Sequence, residues 1–131
     1  MKNNWQTKKL GHLCEIELGK TPARANKTFW DEKRETDNVW LSIADLLNAD
    51  NNIVVDSKEH LSDKGAAISK IVHKGTLLAS FKLTLWRLAF AGCDLFTNEA
   101  IAALTIFNER YLLKEFLFYF LHFFDWRKAD E

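Results

Sequence analysis

Proline is almost absent from this 131-residue chain, with Pro22 alone, and glycine and cysteine are scarce, at five and two residues. Each shortage excludes something. The two cysteines, Cys14 and Cys93, stand far apart; they fit neither a disulfide framework nor a thiolate metal spacing. They read as small buried apolar residues of a reducing cytosol. The glycines make no fingerprint: Gly11-His12-Leu13 is not glycine-rich, and Gly19-Lys20-Thr21 lacks the preceding glycine of a P-loop. No Gly-x-Ser-x-Gly elbow occurs. The four histidines, His12, His60, His73 and His122, share no ligand spacing with a cysteine or a carboxylate pair. The chain is therefore expected to carry no catalytic residue, no metal and no cofactor.

Long apolar runs are missing as well. The opening Met1-Lys2-Asn3-Asn4-Trp5-Gln6 has no apolar core of the kind a signal peptide needs. The most apolar stretch, 111–126, carries Lys114, Glu115, His122 and Asp125 and is too short to span a bilayer. A soluble, cytoplasmic protein with no membrane partner is expected. Net charge is lacking too, with 18 basic and 18 acidic side chains. Their distribution is uneven. Residues 1–30 balance at +4 and 64–93 at +5, with no acid in the second segment, whereas 31–63 balance at −6 and 94–131 at −3. Positive charge confined to two segments can form one cationic face on a neutral protein.

What the chain does have is core: 47% hydrophobic residues and five tryptophans. A single domain over 1–131 follows, large enough to bury about two-thirds of its unfolded surface. Cys14, Ile16 and Leu18 alternate with Glu15 and Glu17 as in a short strand, which stops at Gly19. Residues 19–38 read as a long charged surface loop. Strands are expected over 39–43, 53–55, 77–81, 85–90 and 100–107, with one helical turn at 44–47 and a turn cluster at 48–52. A helix is expected over 61–69, with Ser57 or Ser62 as its cap.

A terminal helix is expected over 110–128. At 100° per residue, Lys114, Glu115, His122 and Asp125 share one stripe about 100° wide, leaving an apolar arc of about 260°. One small domain covers less than that, so a partner or a second copy is expected on this helix, and Phe118 and Tyr111 even intrude on the polar stripe.

Two segments have the chemistry of nucleic-acid contact. The loop Gly19-Lys20-Thr21-Pro22-Ala23-Arg24-Ala25-Asn26-Lys27 combines a glycine for close approach, hydrogen-bonding Thr21 and the cations Lys20, Arg24 and Lys27. An ordinary solvated loop has the same composition. The turn Ser80-Phe81-Lys82-Leu83-Thr84-Leu85-Trp86-Arg87 presents Ser80, Lys82, Thr84 and Arg87 for base edges, where lysine and arginine pair with guanine. Alternatively, its cations cap the solvent ends of two strands. Asp45 can cap a helical turn or touch a cytosine amino group, the capping role being favoured, and Asn98 reads as a tie for loop backbone rather than a reader of bases.

These segments also carry a resemblance. Trp5, Leu10-Gly11, Leu18-Gly19-Lys20-Thr21-Pro22, Trp30, the run Val39-Trp40-Leu41-Ser42-Ile43-Ala44-Asp45-Leu46, the hairpin from Lys74 to Gly92, Thr97-Asn98-Glu99-Ala100-Ile101, Tyr111-Leu112 and Tyr119-Phe120-Leu121 follow in order. Together they resemble the target-recognition domain of the specificity subunit of type I restriction–modification enzymes. Where that family usually has a glycine in the hairpin turn, this chain has Trp86. The Asn-Pro-Pro-Tyr-type motif with which adenine methyltransferases grip a flipped base is absent.

The resemblance implies an α+β fold, a strongly curved mixed sheet closed by the C-terminal helix. It implies a non-enzymatic domain that reads one half of a bipartite sequence in double-stranded DNA and directs partner modification (methyltransferase) and restriction subunits. A chain ending at Glu131 is then expected to be a truncated product or an excised domain. The competing expectation is a protein-interaction module or homodimer built on the apolar helix.

Overall fold

The computed structural model describes residues 14–82 and 85–106. Nine short strands follow one another there: β1 (Cys14–Leu18), β2 (Trp30–Asp31), β3 (Val39–Leu41), β4 (Ile53–Val54), β5 (Glu59–Leu61), β6 (Leu77–Lys82), β7 (Leu85–Ala91), β8 (Phe96–Thr97) and β9 (Ile101–Ile106). Two five-residue helices, α1 (Ile43–Leu47) and α2 (Asp63–Ala67), and a 3-10 turn (Lys27–Phe29) complete the set. The α+β class holds. Where a single strongly curved sheet is expected, the strands divide between two mixed sheets, ordered β1-β9-β6-β7-β4 and β2-β5-β3-β8. The expected C-terminal helix lies outside the described residues.

The larger sheet is antiparallel except where β4 joins β7 in parallel. Its centre is β6, hydrogen-bonded on one side to β7 and on the other to β9. Leu77, Leu78, Ala79 and Ser80 are all buried, so both faces of β6 are covered. That explains its unbroken apolar run, since a strand buried on both sides has no solvent face to mark with polar residues. In the smaller sheet, β3 pairs antiparallel with β5 and parallel with β8.

Alternation along β3 sends its side chains to two different cores. Val39 and Leu41 join Leu46 of α1, Leu78, Ala89 and Ile101 in the main cluster, whereas Trp40 packs with Leu61, Phe96 and the half-buried Trp30. Leu41, Leu46, Leu61, Leu78 and Ile101 are wholly excluded from water. Each such side chain contributes roughly 1.5–3 kcal/mol.

Local signals set the helix starts. Ser42 caps α1, its hydroxyl facing the Asp45 N–H while the Asp45 carboxylate accepts the Ser42 N–H at 2.8 Å. The capping role expected of Asp45 is thus present, and its other oxygen accepts the Lys58 N–H at 3.0 Å. Of the two serines considered for the second helix, Ser62 is the cap, accepting from the Gly65 N–H at 3.1 Å. Ser57 is buried and bridges strands instead, accepting the Trp40 N–H and donating to the Glu59 carbonyl. The cluster 48–52 turns sharply, with Asn51 and Asn52 at φ of 53° and 62°, the left-handed region that asparagine tolerates.

Candidate nucleic-acid interface

The loop after β1 is charged but not loose. Gly19 lies against Thr97, where an added Cβ would come within 2.1 Å of the Thr97 carbonyl oxygen. That approach lets the Lys20 N–H donate to the same oxygen at 3.0 Å. The indole N–H of buried Trp40 donates to the Lys20 carbonyl at 3.1 Å, and that of Trp30 to the Ala23 carbonyl at 3.2 Å. Thr21 donates its hydroxyl to Glu99 at 2.7 Å, which holds the Glu99 carboxyl below its ordinary range. Pro22 is fully buried, and Asn26 caps the 3-10 turn through the Thr28 N–H.

Two tryptophans therefore grip the backbone of this loop from beneath. Trp30 and Trp40 meet edge to face with ring centroids 5.0 Å apart. The Arg24 guanidinium lies 4.6 Å from the Trp30 centroid and 5.2 Å from that of Trp40. It also forks onto Glu59 at 2.7 and 3.2 Å, a bond that raises its pKa above the usual arginine value. Arg24 is thus tied to its own fold while its side chain stays 57% exposed. Lys20 and Lys27 are exposed and make no ion pair among the described residues.

Helix α2 is locked onto the far end of the loop. Ser62 donates its hydroxyl to the Thr28 carbonyl at 2.5 Å and its N–H to the Phe29 carbonyl at 3.1 Å. Gly65 sits so close that a Cβ there would meet the Phe29 oxygen at 2.1 Å. This contact sets the Lys64 ammonium 5.6 Å from the Phe29 ring centroid. In the sequence, Lys64 is marked only as the first residue of the acid-free segment 64–93.

The hairpin differs from its expected form. The pairing registers Phe81 with Trp86 and Lys82 with Leu85, so Ser80 and Arg87 sit one step further back, paired within the strands. Ser80 is only 2% exposed and its hydroxyl has no hydrogen-bond partner. It occupies the core where a surface contact was expected, because β6 is the central strand of its sheet. Arg87 is half-buried. It donates to the Asn52 side chain at 2.6 Å and to the Ala49 carbonyl at 3.1 Å, clamping the left-handed turn before β4. The backbone of Lys82 ends β6. Thr84 lies outside the described residues. Among the described residues, Lys20, Thr21, Arg24 and Lys27 share one loop, while Ser80 is buried and Arg87 holds the turn at 49–52.

Asn98 ties its loop as expected, accepting the Ala100 N–H at 3.0 Å and donating its own N–H to the Leu41 carbonyl. On the acidic side, Arg34 pairs with Asp56 at 2.6 Å, and Asp56 also meets the buried ring of His60 at 2.9 Å. Those bonds, that of Arg34 first, hold the Asp56 carboxyl far below the usual carboxylate range. The other ring nitrogen of His60 lies 2.8 Å from the Thr36 carbonyl. An open cleft of about 410 Å³ beside this cluster is lined by Arg34, Asp45, Asp50, Ile53, Val55 and Asp56. Cys93 is half-buried, in the surroundings expected of it only in part, and burial pushes its thiol pKa up. Among the described residues no helix is long and apolar enough to cross a membrane, and no group of three or more potential ligands could hold a metal ion.

Comparison with known proteins gives this geometry a family. Residues 2–129 match the type I restriction modification DNA specificity domain, and the chain belongs to that family. Its fold is similar to the HsdS subunit from Thermoanaerobacter tengcongensis, with a TM-score of 0.70 and 17% identity over 93% of this chain and 28% of that one. A second similar chain was solved in work on complex assembly and conformational transition of the type I R-M system, with a TM-score of 0.66 and 18% identity over 92% and 27% of the two chains. The chain thus spans little more than a quarter of the solved subunits it matches. A search of curated proteins found no match.

Proposed function

We propose that this member of the DNA specificity domain family is a single, non-catalytic target-recognition domain over 1–131, reading half of a bipartite sequence in duplex DNA. The match over residues 2–129 carries that reading. In a full specificity subunit the domain directs methyltransferase and restriction subunits, and its work belongs to the cytoplasm. Phosphate contact falls to Lys20 and Lys27, whose backbones the loop holds in place. Base contact falls to Lys82 and Thr84 at the end of the hairpin. Thr21 and Arg24 stand behind the loop, tied to Glu99 and Glu59, and Arg87 behind the hairpin.

The test is a titration of the chain with duplex DNA across salt concentrations. Phosphate-led binding weakens steeply with salt, and for one isolated domain sits near the non-specific range of about 10⁻⁴–10⁻⁶ M. No binding at tens of micromolar and low salt (roughly the middle of that range) overturns the reading. Pairing of two copies through 110–128 is a separate proposal, read by light scattering: a sharp monomer mass unaffected by Phe118→Lys rejects it.

A further inference from the structure

The first cationic segment ends near Lys27 and the second begins at Lys64, separated in sequence by the −6 stretch. Folding removes that separation. Three contacts fix α2 on the 3-10 turn: the Ser62 hydroxyl on the Thr28 carbonyl, the Ser62 N–H on the Phe29 carbonyl, and Gly65 against that same oxygen. Phe29 stands two residues from Lys27 in the turn and carries Lys64 over its ring. Lys27 and Phe29 thus belong to one 3-10 turn, and Lys64 reaches that same turn through the Phe29 ring.

Three acids of the flanking segments already have partners, and one of them, Glu59, is paired with a cation. Glu59 is forked by Arg24, Asp63 accepts from the Asn38 amide at 3.0 Å, and Asp31 accepts the N–H and hydroxyl of Thr36 at 2.7 and 2.8 Å. Neither Lys27 nor Lys64 makes an ion pair among the described residues. The Lys64 ammonium itself lies over the Phe29 ring, a contact that leaves its charge unneutralised.

We infer that Lys64 is a phosphate-contacting residue, acting with Lys27 on neighbouring phosphates of the DNA backbone and fixing the domain's placement rather than its sequence choice. The inference rests on the DNA-reading function proposed above. It adds to that function a residue from the second basic segment, brought in by the packing of α2.

Binding of the full 131-residue chain to a labelled duplex of about two helical turns (roughly 20 bp), measured by fluorescence anisotropy from low to moderate salt, tests it. Each phosphate contact contributes about 0.9 to the slope of log K against log salt. Lys64→Gln should lower the slope by about that much, Lys27→Gln by the same amount, and the double variant by about twice as much. Lys64→Arg should keep the wild-type slope. Lys58→Gln, on the acidic side where the Lys58 N–H binds Asp45, should leave it unchanged. A wild-type slope in Lys64→Gln, with the Lys27→Gln slope reduced, overturns the inference and leaves the recognition function standing. A wild-type chain that does not bind overturns both.

Discussion

The loop at 19–29 and the β6–β7 hairpin carry much the same residue types, a few cations and hydroxyls among apolar neighbours, yet the fold uses them in opposite ways. In the loop, the backbone is immobilised by Trp30, Trp40 and Thr97, and two lysines are left exposed and without an ion pair among the described residues. In the hairpin, Ser80 is drawn into the core and Arg87 into a turn clamp. The difference lies in position within the sheet. A loop leaving an edge strand can keep its backbone bound and its side chains free. A central strand has neighbours on both edges and both faces, so its polar residues are absorbed. Cations in a sequence are thus candidates for contact only after the fold has taken those it needs.

The largest expected effect breaks the loop side of this comparison. Trp40 is 2% exposed, supports Arg24 and holds the Lys20 carbonyl. Trp40→Ala should destabilise the protein by about 3–5 kcal/mol, read as a lower urea midpoint. An unchanged midpoint would mean the loop does not depend on its tryptophan floor.

Next in size is Arg87→Ala. Both its bonds are charge-assisted, and one goes to Asn52, held at positive φ. A loss of about 1.5–3 kcal/mol is expected. If the clamp is its whole role, the methylated target of a complete subunit carrying this domain should not move. A shifted target would return Arg87 to base readout.

Acid titration gives a smaller, graded effect that touches both the Glu99 tie of the loop and the acidic cluster around Asp56. Asp56, Asp31 and Glu99 all have carboxyl pKa values lowered in the folded state, by Arg34, Thr36 and Thr21 respectively. A group whose folded pKa is depressed contributes stability above its unfolded value and loses it as pH falls through the folded one. Tm should therefore be flat above about pH 5 and fall below about pH 4, the ordinary range of these carboxyls. In Arg34→Ala that fall should be shallower, because the main cause of the Asp56 shift is gone. An equal fall in both proteins would deny the Arg34–Asp56 pair a role.

Much of the architecture was legible in the sequence. The alternation of 14–18 and the turn signals of 48–52 mark elements that local chemistry decides, whereas Ser42, expected inside a strand over 39–43, turns out to cap the helix that begins at Ile43. The short strands β5 and β8 were not visible, since Glu59-His60-Leu61 carries a charge and a histidine where a strand should be apolar. His60 is buried only because Asp56 and the Thr36 carbonyl, 4 and 24 residues away, satisfy its ring. Of the contacts proposed here, Lys20 and Lys27 were readable from loop composition alone. Lys64 was not, because its position depends on the contact between α2 and Phe29, 35 residues back along the chain.

The smallest expected effect carries the clearest sign. Ser80 has a buried hydroxyl with no partner, set on the central strand between Arg87 of β7 and Ile101 of β9. Leaving a hydroxyl unpaired away from water costs about 1–3 kcal/mol in proteins. Ser80→Ala removes that cost and gives up only the packing of one small atom. A net gain of about 0.5–1 kcal/mol is expected, seen as a slightly higher urea midpoint with an unchanged slope. DNA affinity should not change, since the side chain does not reach the surface. The contact role expected from sequence makes the opposite pair of forecasts, weaker DNA binding at constant stability. Measuring both quantities on this one variant decides between them. Weaker binding without added stability would mean that the hairpin, like the loop, keeps polar groups free for DNA.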